Sequence, residues 1–382
     1  MSQQRITISL STLLSIGAAS LALLLLWQLR GLVVALMIAV VLAATLAPII
    51  QKAERLQIPR WLAVLLAYAG LISVFVSLGL WLGPPVLGQI QRLIQRFPSY
   101  LEVLQFLAQD LLVRFGLTEP EVLDQINQFF NIQGLTSWLF RSSQELLIRS
   151  YGVTRGLLGA VFNVVLSLLL SAYMLNGAND LLRGVVSLFP QPWEDRIAAE
   201  MPTVSDRMGA YIRGRVVVSL ILAVAVSLGL RFLGIADFAL GLGAIAGVTN
   251  LIPFFGPVLG SIPALIVAIA QGGFTFFWVF LLFVIIQNLE TYILDPLLVG
   301  STVRVAPLYQ LLAVLGGAQV LGIIGALIVP PWIAGAAVLL ENLYMKPKRE
   351  AQAYNQSLSE SPDSTLNPTE LETANPQSSV TN

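Results

Sequence analysis

Apolar residues along this chain fall in long unbroken runs separated by short polar stretches. The runs are Thr12 to Gln28, Gly31 to Ile50, Trp61 to Leu82, Tyr151 to Leu175, Val216 to Leu233, Phe238 to Ala270, Phe274 to Asp295 and Pro307 to Leu340. A helix of about 20 apolar residues crosses a bilayer, so most of these runs predict one crossing each. The first is read as a span, not a cleaved signal, because a second run follows almost at once. Phe238 to Ala270 and Pro307 to Leu340 are longer than one crossing needs. The former is broken at Pro253 to Pro257. The latter is broken at Gly316, Gly317, Gly322, Gly325, Pro330 and Pro331. The expected fold is all-α: a polytopic helical membrane protein with about eight transmembrane helices.

Between the third and fourth runs the pattern changes. Ile90, Leu93, Ile94, Phe97, Leu101, Leu104 and Leu107 recur at helical spacing, with Gln, Arg, Glu and Asp between them. Pro98 is expected to start a new helix, and Thr118-Glu119-Pro120-Glu121 reads as another helix start. Residues 84–150 therefore predict an extracytoplasmic amphipathic helical segment, packed as a subdomain. The alternative is a helix lying flat in the headgroups. The division that follows is transmembrane helices at 1–83, the insertion at 84–150, a transport core at 151–345 and a tail at 346–382.

Charge sets the expected orientation. Gln51 to Arg60 carries Lys52, Arg55 and Arg60. Asn176 to Arg215 reads as a second Arg-bearing loop, and Lys346, Lys348 and Arg349 follow the last run. Basic segments beside spans face the cytoplasm, which puts both termini there. Ala351 to Asn382 is rich in Ser, Asn, Thr, Pro and Glu and is expected to be disordered.

Composition narrows the chemistry. The chain is 56% hydrophobic and 11% charged, with 21 basic and 21 acidic residues, so no nucleic-acid partner is expected. It has neither cysteine nor histidine. That removes thiol chemistry, the commonest metal ligand and the commonest general base. No Gly-x-x-x-x-Gly-Lys-Ser/Thr loop occurs. The expectation is a non-enzyme without cofactor or bound metal.

The stretch from Gly241 to Gly300 carries the candidate site. Asn250, Pro253, Gly256 and Pro257 break one apolar run; Gln287, Glu290 and Asp295 close the next. Proline and glycine free backbone groups, which membrane interiors tolerate only where protein or water meets them. A charge in hydrocarbon costs about 2.5 kcal/mol or more. These seven residues are therefore expected to line a pathway. With α-helical spacing, Gln287, Thr291 and Asp295 share a face and Glu290 falls on the adjoining stripe. Gly243, Gly247 and Gly260 are expected to let helices pack closely.

The segment Gly247-Val-Thr-Asn250-Leu-Ile-Pro253-Phe-Phe-Gly256-Pro257-Val-Leu-Gly260 resembles the signature of the autoinducer-2 exporter family of bacterial permeases. Glu290, Asp295-Pro296-Leu-Leu-Val-Gly300 and Ala306-Pro307 resemble its next block, and Gly209-Ala-Tyr211-Ile-Arg-Gly214 its middle region. The chain departs from the family at Asn176, where an acid is expected, and at Arg215, where glutamine is common. The resemblance implies about eight helices, the bacterial plasma membrane, and either export of autoinducer-2 or sodium–proton exchange.

Three readings follow. The first is a secondary transporter that moves a small polar solute, autoinducer-2-like, or exchanges Na+ for H+. The second is a passive oligomeric channel. The third is a membrane anchor whose insertion binds a partner. A homo-oligomer within the lipid bilayer is expected.

Overall fold

The computed structural model describes residues 28–115, 150–253, 255–272, 274–300 and 307–360, together with position 17. The expected first span apart from Gly17 and Gln28, the Thr118–Glu121 helix start and Ala306 lie outside these. The described part is helical, without a strand. Its elements are α1 (Arg30–Arg55), α2 (Arg60–Arg114), α3 (Ser150–Asn176), α4 (Ala178–Val186), α5 (Trp193–Phe232), α6 (Ala239–Asn250), α7 (Phe255–Gln271) and α8 (Thr275–Leu289). A π-helix (Glu290–Gly300) continues α8. Then come α9 (Pro307–Leu340), a π turn (Glu341–Met345) and α10 (Lys346–Glu360). Among the described residues, five helices are long and apolar enough to cross a membrane. A sixth is added if α3 and α4, which meet at 91°, count as one bent span.

The centre of the bundle is α5, which packs against α1, α6, α9 and the π-helix. Its 40 residues extend about 60 Å, twice a hydrocarbon core. The expected Arg-bearing loop is corrected here. From Trp193 onward the polar stretch is already helix, and Arg207, Arg213 and Arg215 sit on it. Arg is a good helix former, and two of these cations have partners on other elements. Arg213 shows why one of them is needed. Pro48 lies inside α1 and has no N–H, so the Ala44 carbonyl one turn earlier loses its helical donor. Arg213 Nη1 lies 3.3 Å from that oxygen and 3.0 Å from the Thr45 carbonyl.

The expected helix start at Pro98 is also corrected. Helix α2 runs unbroken from Arg60 through Pro84, Pro85 and Pro98 to Arg114. Tertiary contacts hold its distal half. Leu93 and Leu101 are buried. Tyr100 meets Phe238 edge-on at 6.3 Å, and the Arg96 guanidinium sits 5.8 Å above the same ring. Gln89 Oε1 accepts a 2.8 Å bond from the Gly241 N–H, one of the orphan donors at the start of α6.

Both overlong runs turn back on themselves. At the first, α6 and α7 form a hairpin around Pro253. At the second, Gly322 adopts φ 66°, ψ −152°, backbone that a side chain disfavours. A Cβ on Gly317 would meet the Gly325 carbonyl at the distance of a clash, and the converse holds. Residues this far apart in one straight helix cannot touch, so α9 is two antiparallel arms. In the tail, residues 351–360 continue α10 as helix where disorder was expected; Ala, Gln, Lys and Glu favour that once a helix has begun. Residues 361–382 lie outside the described part.

Candidate functional site

Arg215 projects from the middle of α5 into the bundle and is 3% exposed. Its Nη1 lies 3.1 Å from Glu290 Oε1 and 3.3 Å from Asp295 Oδ1; its Nη2 lies 3.2 Å from Asn250 Oδ1. Glu290 is 3% and Asn250 1% exposed. The Asp295 side chain, at 40%, opens one side of the cluster. One guanidinium faces two carboxylates, so with all three ionised the cluster carries one excess negative charge. Charges this deep persist only when paired and hydrogen-bonded.

The π-helix is what aims both acids at one cation. It closes i→i+5 turns, so residues five apart come closer to one face than in an α-helix. In an α-helix Glu290 and Asp295 would stand about 140° apart. The expectation that Gln287, Thr291 and Asp295 share the working face is corrected for this reason. Gln287 and Thr291 do share a face, joined by a 3.2 Å bond from Gln287 Nε2, but Thr291 is exposed and it is Asp295 that leaves their row. Glu290 and Asp295 then meet at Arg215. The π-helix approaches α5 this closely because residue 214 is glycine: a Cβ there would strike the Leu298 carbonyl.

The α6–α7 hairpin supplies the opposite wall. Asn250 is the last residue of α6; Pro253 lies in the break; Gly256 and Pro257 are in the first turn of α7. A Cβ on Gly256 would overlap Asn250, so the glycine lets the hairpin close on that side chain. Gly260 lies against Ala246 in the same way. Gly243 and Gly247 lie against Ala223, Ser219 and Ser227 of α5. Thr249 donates to the Ile245 carbonyl at 2.7 Å, with the Gly256 carbonyl 3.3 Å away.

Several polar atoms in this region have no formed hydrogen bond: Arg215 Nε, Asn250 Nδ2, Glu290 Oε2, Gln287 Oε1 and Ser219 Oγ. Asn250 lies beside Glu290 without closing a bond through Nδ2. Tyr211, Arg215 and Ser219 repeat every four residues on α5 and face the same side; Gln310 of α9 reaches the Tyr211 hydroxyl at 3.3 Å. No group of three or more Asp or Glu side chains able to hold a metal occurs among the described residues.

All seven expected pathway residues thus lie on the hairpin or on the α8–π segment. The structure brings Asn250, Glu290 and Asp295 together. Sequence reasoning missed Arg215, although its departure from the glutamine common in the family was the available signal. Along α5, about 25 Å of helix separates Arg215 from the turn after Phe232. The cluster therefore lies toward one end of the apolar slab.

The chain matches the description "AI-2E family transporter" over residues 16–345. It belongs to that family. Relatives with names beginning "Putative transport protein" include the following three. YueF of Bacillus subtilis is 27% identical across 81% of this chain and 83% of its own. YrrI of the same organism is 28% identical across 80% and 84%. The third, sll0063 of Synechocystis, is 25% identical across 78% and 74%. As an AI-2E family member the chain is a multi-pass membrane transporter. In that family setting, the buried cluster is a polar point in an otherwise apolar transport bundle.

Proposed function

We propose that this chain is a secondary transporter of the bacterial plasma membrane that moves a small, hydroxylated polar solute of the autoinducer-2 kind, coupled to proton movement. The supporting observation is the ion cluster of Arg215, Glu290, Asp295 and Asn250, buried between a broken helix and a π-helix with polar atoms left unpartnered. Broken helices at membrane depth make substrate and ion sites in transporters. Ionisable residues inside spans mark pathways and proton relays. Glu290 is the group proposed to take and release the proton, Asn250 and Gln287 the amides that hydrogen-bond the solute.

Proteoliposomes with an imposed pH gradient test this. Wild type is expected to accumulate labelled solute against its gradient, which a channel cannot do, and Glu290→Gln to abolish accumulation. Undiminished uptake with the same pH response in Glu290→Gln would sink the reading. A second reading, exchange of Na+ for H+, is favoured by two carboxylates converging on one cation. It predicts a sodium-driven pH change in the same vesicles without solute.

A further inference from the structure

The oxygens around Arg215 form a cation's coordination shell. Glu290 Oε1, Asp295 Oδ1 and Asn250 Oδ1 all point at one guanidinium from 3.1 to 3.3 Å. A further oxygen of the cluster, Glu290 Oε2, is buried and unpartnered. An all-oxygen set of carboxylates and an amide is the chemistry that hard inorganic cations select. The buried end is closed at Glu290, whose side chain is 4% exposed, and the open end lies at Asp295.

We propose that Glu290, Asp295 and Asn250 form a site for a small hard inorganic cation, and that Arg215 occupies it as a tethered cation. Arg215 is then a specificity-determining residue. It supplies the positive charge the oxygens require, so a free ion can take the site only where Arg215 has left it. This rests on the reading of the cluster as a point on the pathway, since only there can an ion arrive from water. The guanidinium fits the role: it stays charged and is more weakly hydrated than an ammonium, so burial costs it less. The same nitrogen serves both carboxylates, which is how a spherical ion would bridge them. Withdrawing Arg215 leaves two buried carboxylates uncompensated, and an ion from solution is the available replacement.

The test is binding, separate from flux. Wild type, Arg215→Gln and Arg215→Gln/Glu290→Gln are purified in detergent. Each is melted by tryptophan fluorescence while Na+, K+ or Mg2+ replaces N-methylglucamine at constant ionic strength. Arg215→Gln is expected to gain a saturable rise in Tm of several degrees with at least one of these ions. Wild type and the double variant should respond only weakly and without saturation. If Arg215→Gln is not recovered folded, Arg215→Gln/Asp295→Asn carries the test. It keeps Glu290 and Asn250 with the net charge of the native cluster, and must show the saturable rise. The proposal is overturned by a folded Arg215→Gln, or in its place a folded Arg215→Gln/Asp295→Asn, with no saturable response to any of the three, by an equal response in wild type, or by a response that survives loss of Glu290. Solute accumulation by wild type stands or falls independently of every one of these results.

Discussion

At Gly214 and Gly256 the absence of a side chain decides the geometry of the site. Each would put a Cβ into a neighbour that has no room to move: the Leu298 backbone for Gly214, the Asn250 backbone and side chain for Gly256. Overpacking of this kind costs about 1–3 kcal/mol. Gly214→Ala is expected to lower Tm by several degrees in detergent and to reduce transport, because it pushes the π-helix away from Arg215. Gly70 has open space around it, so Gly70→Ala should leave Tm unchanged or slightly raised. Equal melting of the two alanine variants would show that the close approach to Leu298 is not needed. The identity of Asn250, Glu290 and Asp295 as a polar group in apolar sequence was legible from their residue types alone. The one cation they share was not, since Arg215 follows a polar stretch and reads equally well as the edge of a loop.

At the scale of an element, the π-helix is the feature that α-helical periodicity misreads. Spacing by four groups Asp295 with Gln287 and Thr291; the wider turn groups it with Glu290. This gives a discriminating exchange. Moving the acid one position, as Leu294→Asp/Asp295→Leu, would restore an i,i+4 pair with Glu290 if the segment were α-helical. In the π-helix it takes the carboxylate from the position that meets Arg215 and sets it against the apolar core on which Leu294 packs. Transport in proteoliposomes is expected to fall as far as in Asp295→Asn; retention of wild-type flux would show that the segment works as an α-helix. Helix α2 carries the complementary lesson. Pro98 reads as a break because proline removes a backbone donor, a loss of about 3 kcal/mol in a helix interior. Leu93, Tyr100, Leu101 and the Gln89 bond to α6 offset it from outside the helix, where local sequence gives no sign of them.

Across the whole molecule, two folded-back segments border one central helix. The α6–α7 hairpin returns from the Phe232 end of α5 to bring Asn250 to Arg215. The second arm of α9 runs down the other half of α5, with Gly335 against Met208 and Val204 and Asn342 hydrogen-bonded to Glu200. Because α5 is about twice as long as a hydrocarbon core is thick, its two ends belong to opposite sides of the membrane. The chain has no cysteine, so single cysteines report this directly. On intact cells an impermeant thiol reagent is expected to label Asp237→Cys and to spare Asp195→Cys until the membrane is opened. The reverse pattern would invert the expected orientation, with its cytoplasmic termini.

Hydropathy, glycine and proline positions and the lack of Cys and His were enough to establish a helical membrane protein, its broken segments and its acidic stretch. Those properties depend on solvent preference and local backbone chemistry, which each residue carries with it. The pairing of Arg215 with Glu290 and Asp295, the direction in which each broken segment folds and the pitch change at Glu290 were settled only by packing. They arise because charges distant in sequence must find one another once water is excluded, and helices joined by glycine contacts admit few arrangements in which they do.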